Sequence, residues 1–188
     1  MSSIRSSVMS NIVTSTRSSN RTSARLEGRI KILFVCHGNI CRSPMAEFVM
    51  KDLVDKRGIA DHYEIASAAT STEEIGNPVY PPAKAKLAEH GISCKGKQAR
   101  QMTKDDYAYY DLIIFMDKWN ILNARRFIGF DKAHKASMLL DHCGRAGEQV
   151  ADPWYTDDFD AAWDDVVQGC EGLIEEIEGS GIHGKEKA

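Results

Sequence analysis

Ile30-Lys31-Ile32-Leu33-Phe34-Val35-Cys36-His37-Gly38-Asn39-Ile40-Cys41-Arg42-Ser43-Pro44 is the stretch on which the reading of this chain turns. Its first six residues are a nearly unbroken apolar run, the pattern of a buried strand. Its end opens onto residues 43–57, where Met45, Phe48, Val49 and Leu53 recur at helical spacing. Between the two lies a loop short enough to curl into the start of the helix. A helix N-terminus carries unpaired N–H groups and the positive end of a dipole, so it favours an anion. A loop aiming further amides at the same point forms a nest. Gly38 and Asn39 are the residues best able to take the positive φ that such a curl needs.

The side chains of the loop point the same way. A cysteine at its start, Cys36, lies in the positive field, which favours the thiolate. An arginine at its end, Arg42, offers a planar fork matching two oxygens of a tetrahedral anion. Ser43 can donate its hydroxyl to the sulfur. Together these describe a nucleophile facing a cradle for an oxyanion.

Outward from the loop the chain alternates. Tyr63 to Ala68 reads as a second strand, and Pro81-Pro82 begins a helix that runs to His90 and stops at Gly91. Leu112 to Met116 is apolar throughout and reads as a central strand. Residues 118–127 read as a helix and Ala136 to Leu140 as a short fourth strand. Phe159, Trp163, Val166, Val167, Cys170, Leu173, Ile174 and Ile177 form one face of a last helix. Alternation of this kind predicts an α/β fold, a parallel sheet with helices on both faces and ligands bound beyond the carboxyl ends of the strands.

Composition sets the bounds. The chain has 188 residues, 43% of them hydrophobic and 27% charged, which suits a single globular domain. A net charge of -3 argues against a nucleic-acid partner, and no apolar run is long enough for a membrane span. Five cysteines, an odd number, argue against a disulfide framework and for a reducing, cytoplasmic setting. Residues 1–28 are rich in serine and arginine and read as a disordered or leader extension, or alternatively as an organelle transit peptide. The domain is expected over 29–179, with a flexible tail over 180–188. No metal or cofactor is expected.

The run Val35-Cys36-His37-Gly38-Asn39-Ile40-Cys41-Arg42-Ser43-Pro44-Met45-Ala46-Glu47 closely resembles the signature loop of the low-molecular-weight protein tyrosine phosphatases. Supporting stretches are Ser67-Ala68-Ala69-Thr70, Glu89-His90-Gly91-Ile92, Ala99-Arg100-Gln101, Met116-Asp117 and Asp152-Pro153-Trp154-Tyr155, and Gly76 to Pro82 looks bacterial in type. The resemblance implies a four-stranded parallel sheet in the order 2-1-3-4, the phosphotyrosine phosphatase I-like fold. It implies hydrolysis of phosphotyrosine through a cysteinyl-phosphate, with Cys36 as nucleophile, Arg42 as phosphate clamp and Asp152 as general acid and then base. His37, Gly38, Asn39, Ile40, Cys41 and Ser43 would complete the cradle. Trp154 and Tyr155 would wall a deep slot for the substrate ring.

The resemblance also gives Asn39, Ser67 and His90 the task of holding the loop by hydrogen bonds. It makes a reversible Cys36–Cys41 disulfide plausible. Asp117 either belongs to the same framework or caps the following helix. The sequence departs from the family at Ser71-Thr72-Glu73-Glu74, where some members carry a tryptophan, so the rim is expected to be more open and more acidic. Expected partners are phosphotyrosine proteins or small aryl phosphates, and the expected state is a monomer or weak homodimer.

Three other readings share the scaffold. A protein-arginine phosphatase would resemble members with threonine where Ile40 stands. A thiol-dependent arsenate reductase needs two more cysteines close together, whereas Cys94 and Cys143 are far apart in sequence. A phosphate carrier without hydrolysis would need neither Arg42 nor Asp152.

Overall fold

Residues 28–180 are described by the structure, a computed structural model. The extension expected over 1–28 and the tail over 180–188 therefore fall outside the described residues, apart from Gly28 and Ser180.

The elements run in this order: β1 (Ile30–Cys36), α1 (Arg42–Lys56), a 3-10 turn (Ala60–His62), β2 (Tyr63–Ala69), α2 (Pro81–Glu89), α3 (Lys104–Tyr109), β3 (Leu112–Phe115), α4 (Lys118–Ile128), β4 (Ala136–Met138), a second 3-10 turn (Leu139–Cys143), α5 (Pro153–Thr156) and α6 (Phe159–Gly179). The four strands make one sheet in the order β2-β1-β3-β4. Every pairing is parallel, with Ile30 opposite Tyr63, Ile32 opposite Leu112 and Ile113 opposite Ala136.

The apolar run of β1 is explained by burial on both faces. Ile30, Ile32, Phe34 and Cys36 join a core with α1, α2 and α6. Leu33 and Val35 join a second core with Tyr110 and with Ala124 and Ile128 of α4. β3 divides in the same way, Ile114 to the first core and Ile113 and Phe115 to the second. The expected α/β architecture, strand order and two covered faces are all present. No helix of the described residues is long and apolar enough to cross a membrane.

Two local expectations are corrected and one helix is added. The buried face of α1 is Met45, Ala46, Val49, Met50 and Val54, whereas Phe48 and Leu53 are only partly covered. α3 was not foreseen, although its reciprocal capping box, Thr103 with Asp106, is visible in the sequence. β4 ends at Met138 and does not reach Leu140. There the Asp141 carboxylate accepts the Met138 N–H at 3.1 Å and the Gly147 N–H at 2.8 Å, drawing the chain into the second 3-10 turn. Leu139 and Leu140 are buried after all, in the core beneath α6.

That turn packs against α6 at Gly169 and Gly172. A Cβ at Gly169 would run into the Leu139 side chain, and one at Gly172 into the His142 carbonyl. Two glycines inside a helix are unfavourable to its own propensity, and close approach is their physical justification here. At the opposite edge of the sheet, Arg29 Nε donates to the Asp61 carbonyl at 3.2 Å and Tyr63 Oη donates to Glu178 at 2.8 Å. The first and last described segments therefore share the edge where β1 and β2 begin, away from the loop after β1.

Candidate active site

β1 delivers Cys36 to the carboxyl edge of the sheet, and the chain then curls into α1. The start of the curl is fixed by the segment that follows β2. Thr70 N–H donates to the Cys36 carbonyl at 2.8 Å and Ser71 N–H to the His37 carbonyl at 3.0 Å. Cys41 occupies the N-cap of α1 but gives no side-chain cap, and the first turn has no acid. The amides of that turn are thus left to the interior of the loop.

The sulfur of Cys36 is buried among donors. Ser43 Oγ lies 3.0 Å from it and the Asn39 N–H points at it from 3.3 Å. Asn39 takes φ 59°, as the curl requires. Gly38 does not use a positive φ, contrary to expectation. Its value is space, because a Cβ there would sit 3.1 Å from Glu74 Cγ.

Asn39 is the hub of the loop's support. Its Nδ2 donates to Ser43 Oγ at 2.9 Å and to Ser67 Oγ at 2.8 Å, and its Oδ1 accepts the Arg100 N–H at 3.2 Å. Ser67 in turn donates to Glu47 Oε2 at 2.5 Å. Lys97 pairs with the same carboxylate at 2.8 Å and donates to the Ser67 carbonyl at 3.2 Å. Burial opposes a charge on Glu47. Lys97 and Lys51 outweigh it and hold the carboxyl below its ordinary value.

His90 does not join this support. Its ring stacks on Trp163 of α6 at 3.9 Å between centroids, and Lys97 stands where a residue of that kind was expected. Glu47 and Lys97 were missed because Glu47 and Lys51, four apart on a helix, have the ordinary pattern of a solvated pair. Nothing local marks Lys97.

Arg42 is 5% exposed at its side chain and joins two helix starts. Its Nη1 donates to Asp117 Oδ2 at 2.7 Å, while the other oxygen of Asp117 accepts the Asn120 N–H and caps α4. Its Nη2 lies 2.6 Å from Asp152 Oδ2, while Asp152 Oδ1 accepts the Trp154 N–H and caps α5. Both alternatives for Asp117 hold at once. Burial works against the charge on Arg42, but Cys36, Asp152 and Asp117 outweigh it and raise its pKa, so the guanidinium stays charged.

Cys36, His37, Gly38, Ile40, Cys41, Arg42, Asp152, Trp154 and Tyr155 line one cavity of about 190 Å³, with Glu73 and Glu74 at its rim. That is below the roughly 300–1,000 Å³ of pockets for drug-sized ligands and suits a single ring with its anionic group. Asn39, Ser43 and Ser67 lie buried behind it. Tyr80, not singled out in the sequence, backs Trp154 at 5.5 Å between ring centroids. Glu73 is held by His37 at 3.0 Å, and with Glu74 it brings two carboxyl side chains to the lining.

A sulfur among hydrogen-bond donors, with an arginine and a carboxylate closing the same small cup, can present a thiolate to a bound oxyanion. The family model of low molecular weight phosphotyrosine protein phosphatase matches residues 31–181. The chain belongs to this family. As a low molecular weight phosphotyrosine protein phosphatase family member it is 39% identical over 150 residues to the low molecular weight protein-tyrosine-phosphatase YfkJ of Bacillus subtilis, covering 79% of this chain and 96% of that one. It is 39% identical over 153 residues to the low molecular weight phosphotyrosine protein phosphatase of Gallus gallus, with the same coverage. Among solved structures, that of YfkJ from Bacillus subtilis superposes with a TM-score of 0.78 at 38% identity, covering 81% of this family member and 97% of that chain.

Proposed function

We propose that the protein hydrolyses phosphotyrosine by two displacements at one cup. The Cys36 thiolate attacks phosphorus in line, and a phosphorus–sulfur bond forms as the bond to the phenolic oxygen breaks. Arg42 and the loop amides take the charge of the equatorial oxygens. Asp152 gives its proton to the departing oxygen, then as carboxylate takes one from the water that cleaves the phosphocysteine. Ser43 and the Asn39 N–H stabilise the sulfur both as attacker and as leaving group. Trp154 and Tyr155 line the mouth of the cavity and hold the ring, and an aromatic wall there favours an aryl ester over phosphoserine.

The observation that carries this reading is the joint placement of Cys36, Arg42 and Asp152 at one cavity, with Arg42 2.6 Å from Asp152. Ile40 in the loop supports the tyrosine reading over the arginine one. Turnover on matched phosphotyrosine, phosphoarginine and phosphoserine peptides tests it. Phosphotyrosine is expected to be preferred, with turnover abolished in Cys36→Ser while the far-ultraviolet circular dichroism is retained. Faster release from phosphoarginine, or residual turnover in Cys36→Ser, would reject it.

A further inference from the structure

The segment leading to Asp152 has no helix or strand to hold it. It leaves the second 3-10 turn at Gly144 and runs to α5 at Pro153. Two backbone contacts fix its last part. The Val150 N–H donates to the Met116 carbonyl at 2.9 Å, and the Ala151 N–H donates to Asp165 Oδ2 of α6 at 2.9 Å. The other oxygen of Asp165 accepts from Arg145 Nη1 at 2.6 Å. Arg145 also donates through Nε and Nη2 to Glu148 at 3.0 and 2.8 Å. One carboxylate, 13% exposed, therefore ties the beginning and the end of the segment to the same point on a rigid helix.

We propose that Asp165 is the positioning residue for Asp152, an inference that rests on the reading of Asp152 as general acid. Both side-chain contacts of Asp152 are those of a carboxylate: one oxygen accepts the Trp154 N–H and the other faces Arg42. A proton on either oxygen cannot be shared with those groups, since both are donors. In the protonated form that delivers its proton, Asp152 gives up one of these contacts and depends on its backbone for aim. The backbone amide next to it, that of Ala151, is the one Asp165 holds. Asp165 itself does not line the cavity.

The test uses kcat/KM, which reports steps up to phenol release, for p-nitrophenyl phosphate and phenyl phosphate. Nitrophenolate leaves with little help and phenolate needs the proton, so the ratio of the two reads the general acid. Asp152→Ala should raise that ratio. Asp165→Ala should raise it about tenfold, since misplacement of a reacting group by an ångström costs on the order of 10²-fold. Asp165→Asn, isosteric but able to accept only one of the two hydrogen bonds, should raise it by a smaller factor, roughly threefold. Competitive inhibition by inorganic phosphate should be unchanged in both Asp165 variants. If Asp152→Ala raises the ratio and neither Asp165 variant does, the inference is overturned and the acid stands. If Asp152→Ala itself leaves the ratio alone, the acid assignment falls and takes this inference with it. Should Asp165→Ala not fold, the Asp165→Asn ratio alone decides.

Discussion

Asn39 combines an unfavourable backbone with four hydrogen-bond contacts, two through its amide nitrogen, one through its amide oxygen and one through its N–H. Asn39→Ala keeps the N–H but leaves Ser43, Ser67 and the Arg100 N–H short of a buried partner, at a cost of about 1–3 kcal/mol. It is expected to lower kcat at least tenfold with a fall in melting temperature, checked by steady-state kinetics and calorimetry together. Cys41 is the other residue with its own behaviour. Burial first, then the neighbouring Cys36 and Asp152, push its thiol up to about 12, so it remains protonated at neutral pH. After peroxide converts Cys36 to a sulfenic acid, the Cys41 thiol can displace water from that sulfur to give a disulfide. Activity lost to peroxide should return with dithiothreitol, and should fail to return in Cys41→Ser. Equal recovery in that variant would show that Cys41 plays no part.

Among the elements, the seam between α6 and the second 3-10 turn leaves no room for a Cβ at Gly169 or Gly172. Gly172→Ala gains about 1 kcal/mol of helix propensity, yet its methyl would meet the backbone of His142, which cannot step aside as a side chain does. Overpacking of this kind costs about 1–3 kcal/mol or more, so net destabilisation is expected, with a larger loss than Gly169→Ala, where the obstacle is the Leu139 side chain. Urea denaturation of the two variants checks the order. The same region shows what could be read in advance and what could not. β1, its loop and α1 were legible because the apolar run, the curl residues and the Cys36 and Arg42 spacing all agree. Leu139-Leu140 looks like a strand because it is apolar, and the side chain of Asp141, the next residue, turns it aside. The motif Asp152-Pro153-Trp154-Tyr155 was legible through resemblance, whereas the helix start it forms was not. His90 was misplaced because a motif match gives a position in the chain, while the hydrogen bond depends on which residue the fold brings round, here Lys97.

For the molecule as a whole, the charge network behind the loop links α1, β2 and the segment before α3 to acid stability. Burial alone would raise the carboxyls of Glu47 and Asp106. Lys97 and Lys51 hold the first, and Arg100 the second, below their ordinary values of 4.5 and 3.8. A depressed folded value means the contribution is complete above the unfolded value and is lost as pH falls through the folded one. Melting temperature should therefore be steady near neutrality and fall below about pH 4.5. Glu47→Gln should lower it at pH 7 by roughly 2–10 °C and flatten its acid limb. An acid limb as steep as that of the parent protein would remove Glu47 from the account.

Both described chain ends meet the sheet where β1 and β2 begin, while Cys36 closes the far end of β1. Six residue steps of about 3.3 Å put some 20 Å of sheet between that edge and the sulfur. A bead, a reporter or a second enzyme joined directly at Gly28 or Ser180 would thus be attached on the side facing away from the cavity. Immobilised at those two positions, the protein would present its opening to the bulk solution.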